Sequence, residues 1–159
     1  MKRDIGVIGL GNPLRHDDGI GLVLLDRVQQ DKKQFKQKII CVDGGTGGMN
    51  LLHVLSRFDA VLIIDAVDFN GKPGDTRLFS IEQIQSKKHP VRFSTHESDF
   101  TTVIAISRQL DELPGRLVVF GVQPYDLSYG TGLSKQLLSL LDEVYMNLKK
   151  EIATFFNNV

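Results

Sequence analysis

One stretch decides the fold of this 159-residue chain: Ile5-Gly-Val-Ile-Gly-Leu-Gly-Asn-Pro-Leu-Arg-His-Asp-Asp-Gly-Ile-Gly-Leu-Val-Leu-Leu25. Residues 5–10 predict a buried strand, and an apolar pattern that begins near Gly19 predicts a helix. Gly11 allows a tight turn after the strand, and Pro13 keeps a helix from starting earlier. The polar residues between the two elements therefore lie at the carboxyl end of a strand, where open α/β sheets bind ligands.

Two adjacent carboxylates, Asp17 and Asp18, come just before that helix. Carboxylates at a helix N-terminus accept hydrogen bonds from its free N–H groups. We therefore expect one of the two aspartates to cap the helix. One helix start needs only one such cap, which leaves the other carboxylate for a different role.

The composition is that of a soluble globular protein, with 42% apolar and 24% charged residues. Lys plus Arg equal Asp plus Glu at 19 each, so no general attraction to nucleic acid or to an anionic membrane is expected. A single cysteine, Cys41, suits a reducing compartment. The sequence shows neither a signal-peptide pattern nor a membrane span, and these observations together predict a cytoplasmic protein.

Strand and helix patterns alternate along the chain after the first helix. This alternation predicts right-handed parallel crossovers. The turn at residues 70–75 is too short for a crossover, so the strand after it should run antiparallel to the third strand. We predict a single α/β domain over residues 1–159, with three layers, a mixed and mostly parallel five-stranded sheet and helices on both faces. The strands after the first are expected at residues 39–43, 60–65, 76–80 and 117–122.

Carboxylates recur where successive parallel strands end. Asp17 and Asp18 follow the first strand, Asp43 precedes a glycine-rich turn, and Asp65 closes the third strand. The carboxyl ends of parallel strands meet at one edge of the sheet, so these side chains should converge. Convergent carboxylates need protons, a cation or a metal ion. His96, in a loop before a later helix, offers a nitrogen, and two aspartates with one imidazole suit Zn²⁺ or Ni²⁺.

Several common motifs do not fit. Gly9 and Gly11 begin like a dinucleotide-binding fingerprint, but Leu14 stands where the third glycine belongs. The chain has no Walker motif, no Gly-x-Ser-x-Gly elbow and no His-Glu-x-x-His helix. Cys41 lies in the middle of a predicted strand, which is a poor place for a nucleophile.

Five spaced motifs stand along the chain. They are Gly9-Leu-Gly-Asn-Pro-Leu-Arg-His-Asp-Asp-Gly-Ile-Gly21, Asp43-Gly-Gly-Thr-Gly-Gly-Met49, Ile64-Asp-Ala66, Ser94-Thr-His96 and Gly121-Val-Gln-Pro124. Together they resemble the hydrogenase maturation endopeptidases, with the motifs in the order of that family and a resemblance that extends from residue 5 to about residue 141. The resemblance implies a hydrolase that removes a C-terminal extension from the large-subunit precursor of a [NiFe] hydrogenase after nickel insertion.

The resemblance also implies site residues. The metal-binding and catalytic positions of the family correspond to Asp18, Asp65 and His96, and the metal is nickel recognised in the precursor, which Zn²⁺ or Cd²⁺ can replace in vitro. Some family members carry Glu at the position of Asp18, which reaches about 1.5 Å further. Asp17 and His16 therefore stay open as alternative ligands.

A second group of residues is assigned to the substrate. Glycines leave backbone N–H groups unobstructed, so the turn after Asp43 offers a place where a peptide can approach closely. We predict that Asn12, Asp43, Gly44, Gly45 and Thr46 bind the C-terminal segment of the precursor. The alternative is that this turn is structural and only precedes a helix.

Two other functions remain open from the sequence. The same pocket would suit a non-catalytic protein that binds metal or a nickel-containing precursor. The glycine turns at Gly11 and Gly44 would also suit a phosphate- or nucleotide-binding domain, in which they act as anion nests.

Overall fold

The computed structural model describes residues 4–85, 92–93 and 97–158. A 3₁₀ turn, His16–Gly19, precedes the first helix, and a second, Lys32–Gln34, follows it. The strands are β1 (Ile5–Gly9), β2 (Ile39–Asp43), β3 (Ala60–Asp68), β4 (Thr76–Ser80), β5 (Arg92–Phe93) and β6 (Arg116–Val122). The helices are α1 (Ile20–Gln30), α2 (Asn50–Leu55), α3 (Ile81–Gln85), α4 (Glu97–Gln109), α5 (Lys135–Ser139) and α6 (Leu141–Asn157).

The main sheet has the strand order β2-β1-β3-β6-β4. Strands β1, β2, β3 and β6 are parallel, and β4 is antiparallel to β6. The short β5 adds an antiparallel pairing at the end of β3, outside this order. The predicted mixed, mostly parallel five-stranded sheet is confirmed.

Strand β4 does not form a simple hairpin with β3. It runs antiparallel to β3, as predicted, but it is hydrogen-bonded to β6, which lies between them. Residues 60–67 of β3 are all buried, which is typical of a central strand with partners on both edges. Strand β6 supplies the second partner in a parallel register, and the partly exposed β4 takes the edge of the sheet.

The connection from β3 to β4 is held by one buried side chain. The Gln123 Oε1 accepts hydrogen bonds from the backbone N–H groups of Phe69 and Gly71, at 2.9 and 3.0 Å. Its amide nitrogen donates to Asp68 at 3.1 Å. Gln123 therefore ties the loop after β6 to the turn before β4, and this allows the chain to pass over the end of β6.

Two hydrophobic clusters lie on opposite faces of the sheet, as the three-layer prediction requires. Helices α1, α5 and α6 cover one face, and α2, α3 and α4 cover the other. Leu24 and Leu148 on the first face, and Leu55 and Val103 on the second, are completely buried. Burying each such side chain contributes about 1.5–3 kcal/mol.

The C-terminal helical pattern forms two helices. The backbone leaves the helical conformation at Leu140 (φ −104°, ψ 1°), between α5 and α6. The Ser134 hydroxyl oxygen caps α5 by accepting a hydrogen bond from the Leu137 N–H at 3.2 Å. Across the described segments, every helix is too short or too polar to span a bilayer.

Candidate active site

Two glycines allow the turn that carries Asp18 to lie in close contact with the central strands. Gly11 has φ +147°, and a Cβ at this position would overlap the carbonyl oxygen of Asp18. A Cβ at Gly21 would overlap the carbonyl oxygens of Leu10 and Ile64. The first turn of α1 can therefore lie directly on the ends of β1 and β3, and it brings the His16–Gly19 turn into contact with β3.

Asp18 is buried, with only 1% of its surface exposed. Its Oδ2 accepts a hydrogen bond from the Asn12 N–H at 2.9 Å. Its Oδ1 is also buried, yet it has no hydrogen-bond partner in the described part of the chain. Burying a carboxylate oxygen without a partner costs free energy, so a hydrogen-bond donor or a cation beside this atom would be stabilising.

Asp17, the neighbouring carboxylate, is fully buried, and its side chain accepts four hydrogen bonds from three residues. Its Oδ1 accepts from the Ser134 N–H at 2.7 Å. Its Oδ2 accepts from the N–H groups of Tyr125 and Asp126, at 2.9 and 2.8 Å, and from the Ser134 hydroxyl at 2.8 Å. The prediction that one of the two aspartates caps the first helix is wrong, because α1 has no side-chain cap and Asp17 binds the loop after β6 instead.

His16 contacts the same loop. It adopts a left-handed backbone conformation (φ +40°), its N–H donates to the Gly130 carbonyl at 3.0 Å, and its Nδ1 lies 2.9 Å from the Gly132 carbonyl oxygen. A Cβ at Gly130 would overlap the imidazole ring. Both alternative ligands, His16 and Asp17, are thus engaged in joining two loops, and Asp18 is the residue with an available oxygen.

Asp65 is completely buried within β3, opposite Gly121 of β6. Its Oδ1 accepts a hydrogen bond from the Ala66 N–H at 2.8 Å. The prediction that Asp65 closes the strand is wrong, since β3 continues to Asp68. Asp65 nevertheless lies at the edge where β1 ends, because the Leu10 N–H donates to the carbonyl oxygen of the preceding residue, Ile64, at 2.9 Å.

The Asp43 turn lies next to the first loop. The Asp43 Oδ1 accepts from the Gly45 N–H at 2.8 Å, which holds the turn in shape. The Gly44 N–H donates to the Gly9 carbonyl and the Gly11 N–H donates to the Gly45 carbonyl, both at 2.8 Å. A cleft of about 250 Å³ opens beside this turn, lined by Asp43, Gly44, Gly45, Asn50, Leu51 and Val54.

The five residues assigned to the substrate lie on these two loops. The side-chain oxygen of Asn12 accepts from the Leu14 N–H at 2.9 Å and shapes its own loop. Thr46 is exposed, as is Asp43. The structure thus places the substrate residues on two loops in contact with each other, and their role in binding stays a prediction.

His96, the third predicted ligand, lies outside the described residues. Within residues 4–85, 92–93 and 97–158, no three His, Cys, Asp or Glu side chains form a potential metal site. This part of the chain contributes the carboxylates of Asp18 and Asp65. The complete metal site remains a prediction.

No sequence pattern points to the roles of Gln123 and Ser134. Gln123 lies in the Gly121-Val-Gln-Pro124 motif, but nothing in the motif indicates that it holds the β3–β4 connection. Ser134 is 117 positions from Asp17, so no spacing pattern connects the two. In the sequence, only the presence of two adjacent aspartates before one helix start indicated that one of them binds something other than that helix.

The fold is that of a known endopeptidase. The structure of the hydrogenase maturating endopeptidase HybD from Escherichia coli superposes with a TM-score of 0.73 and 25% sequence identity, covering 91% of this chain and 89% of that one. Residues 25–151 match the sequence profile of the hydrogenase maturation protease (HycI) family.

Two relatives agree with this match. Hydrogenase expression/formation protein HoxM of Cupriavidus necator is 30% identical over 137 residues, which cover 86% of this chain and 67% of that protein. The corresponding HupD protein of Rhodobacter capsulatus is 29% identical over 147 residues, covering 92% of this chain and 70% of that protein. The chain therefore belongs to the hydrogenase maturation protease family and is a hydrolase.

Proposed function

We propose that this protease removes a C-terminal extension from the large-subunit precursor of a [NiFe] hydrogenase, and that it selects precursor already loaded with nickel. Asp18, Asp65 and His96 would bind the nickel of the precursor. The observation that carries the proposal is the buried Asp18 Oδ1, which has no hydrogen-bond partner among the described residues. A cation brought by the substrate would compensate this charge.

The donor set suits this metal. Carboxylate oxygens and an imidazole nitrogen are ligands that Ni²⁺ and Zn²⁺ accept, and three protein ligands leave positions free for the precursor's own groups. In the isolated protease, Zn²⁺ or Cd²⁺ would occupy the same residues as substitutes. Nickel would supply a Lewis acid next to the scissile bond and would lower the pKa of an attacking water.

The protein orients the two carboxylates before substrate arrives. The Asn12 N–H holds one oxygen of Asp18, and the Ala66 N–H holds one oxygen of Asp65. Hydrogen bonds of this kind limit the rotation of metal-binding side chains and strengthen their binding.

Cys41 is a poor nucleophile. It lies in β2, and burial raises the pKa of its thiol, an effect that the charge of Lys32 only partly offsets. A thiol with a raised pKa is protonated at neutral pH and reacts slowly. Water is therefore the proposed nucleophile.

Nickel dependence is tested with precursor prepared with and without nickel and with no free metal added. We expect cleavage of the nickel form only, because nickel completes the contacts between precursor and protease. His96→Ala should abolish this cleavage. His53→Ala, at an exposed position on α2, should not and serves as the matched control. Equal cleavage of the two precursor forms would contradict nickel recognition and indicate a protease that reads the peptide sequence.

Asp43→Asn tests the substrate role of the glycine turn. Asparagine can still accept the Gly45 N–H hydrogen bond, so the free energy of unfolding should change by less than about 0.5 kcal/mol. Loss of the charge should raise KM for the precursor about threefold to tenfold, with kcat little changed. Steady-state cleavage and urea unfolding measure the two effects. Wild-type KM in this variant would mean that Asp43 is structural.

A further inference from the structure

Backbone groups along the outer edge of β2 have no partner strand among the described residues. β2 is the last strand at its side of the sheet and pairs only with β1 in the described structure. The Gly44 N–H donates to the Gly9 carbonyl of β1. Because backbone groups alternate in direction along a strand, the N–H and C=O groups of every second residue before Gly44 also face β1. The N–H and C=O groups of Ile39, Cys41 and Asp43 therefore point away from the sheet, where another strand can pair with them.

The middle of this edge lacks the usual protection against pairing, since its charged residues, Lys38 and Asp43, stand only at its two ends. Natural edge strands commonly carry a lysine or a proline, or are interrupted by a bulge. β2 reads Ile-Ile-Cys-Val-Asp, pairs with β1 without a bulge, and has neither residue type within it. The residues between these ends can therefore accept an added strand.

Clefts lie on both sides of this edge. The cleft of about 250 Å³ beside the Asp43 turn lies on the α2 side. A second cleft of about 350 Å³ lies on the α1 side and is lined by Leu22, Leu25, Asp26, Gln29, Cys41 and Asp43. An added strand would direct successive side chains into the two clefts in turn, because side chains alternate between the faces of a sheet. Both clefts have apolar side chains, which favours an added segment with apolar residues.

Charge along the edge sets the direction of the added strand. Lys36 and Lys38 are exposed just before β2 begins, whereas Asp43 ends the strand, is exposed and lines the second cleft together with Asp26. A chain that ends in a free carboxylate is attracted to the lysine end. Its upstream part then lies at the aspartate end, which is also the edge of the sheet where Asp18 and Asp65 lie.

We propose that the C-terminal extension of the precursor, downstream of the scissile bond, binds as an added strand antiparallel to β2. This inference rests on the proposed function, because the segment that would bind at the β2 edge is part of the proposed substrate. The added strand would lie about 14 Å from β3, a distance that about four extended residues span. The next five or so residues would pair with β2 and end near Lys38.

Two synthetic peptides with the sequence of the extension test this pairing without any cleavage. Each carries N-methyl groups on alternate residues, in one of the two possible registers. Methyl groups on residues that face β2 remove the donors that antiparallel pairing needs, whereas those on the other residues point away from it. The peptides have the same composition, so each is the control for the other.

The readout is protection of Cys41, the single cysteine of the chain, from alkylation by iodoacetamide. The assay is run at alkaline pH because burial raises the pKa of this thiol. We expect one peptide to protect at a concentration at least about tenfold lower than the other. Equal protection by both, or by neither, would overturn the proposal. Protection that increases with protease concentration in the absence of peptide would assign the edge to a second copy of the chain and would also overturn it.

A charge reversal tests the direction in the cleavage reaction. Lys38→Glu should raise KM for the nickel-loaded precursor about twofold to fivefold with kcat unchanged. Lys150→Glu makes the same change in net charge at an exposed position on α6 and should leave KM unchanged. Identical KM values for the two variants would overturn the antiparallel direction. Nickel dependence of cleavage decides the proposed function separately, because peptide protection requires no nickel.

Discussion

Asp18→Asn should stop cleavage of the precursor while leaving the protein as stable as the wild type. The asparagine oxygen can keep the hydrogen bond from the Asn12 N–H, and the amide nitrogen then takes the position of Oδ1. That nitrogen cannot bind a cation. We expect kcat/KM for nickel-loaded precursor to fall at least about 100-fold, which corresponds to about 2.7 kcal/mol in the activation barrier.

The same substitution removes a buried charge whose Oδ1 has no partner in the described residues. The free energy of unfolding should therefore stay within about 1 kcal/mol of the wild-type value. Urea unfolding and precursor cleavage, measured on the same preparation, check both expectations. Wild-type cleavage by the variant would show that Asp18 does not act at the site. Loss of cleavage together with a large loss of stability would show that its role is structural.

Asp17→Asn should have the opposite outcome, although the two residues are adjacent. Both oxygens of Asp17 accept hydrogen bonds in the folded protein, including those from the N–H groups of Tyr125 and Ser134. An asparagine amide would bring a donor against at least one of these donors. Loss of a buried, charge-assisted hydrogen bond should lower the free energy of unfolding by about 3 kcal/mol.

Thermal unfolding measures this effect, with an expected decrease in Tm of about 6–12 °C for a chain of this size. Asp18→Asn is the matched control, because it makes the same chemical change one position later. The residual folded fraction of Asp17→Asn should still cleave precursor, because Asp17 orders the loop after β6 and is not placed at the metal. Unchanged stability would contradict the role assigned to the four hydrogen bonds of Asp17.

The separation along the chain between Asp17 and its partners explains why the sequence did not show which of the two aspartates is fully hydrogen-bonded. Ser134 and the Tyr125–Asp126 pair lie more than 100 positions further along the chain. Local pattern predicts caps and turns within a few residues, and it suggested a helix cap for one aspartate. The α1 N-terminus instead follows a 3₁₀ turn, and no side chain caps it. Only the packing of two distant loops shows which carboxylate is fully paired.

The partner of β4 also depended on packing. The short turn at residues 70–75 correctly predicted that β4 runs antiparallel to β3. It contained no information about β6, which is formed much later in the chain and inserts between them. The buried amide of Gln123 stabilises this arrangement, and the sequence offered no spacing from which to predict it.

The sequence by itself determined the α/β fold and the glycine loops at the ends of β1 and β2, whereas the convergence of acidic side chains at one edge of the sheet stays a prediction. Periodic burial and turn chemistry act over a few residues, so they can be read from the chain directly. The tertiary structure alone decided that Asp17 is structural, that Asp18 keeps a buried oxygen without a described partner, and that the β2 edge, beside two clefts, has no second strand partner within residues 4–85, 92–93 and 97–158. These features depend on contacts between segments far apart in the chain, where hydrogen-bond satisfaction is settled only once the loops have packed together.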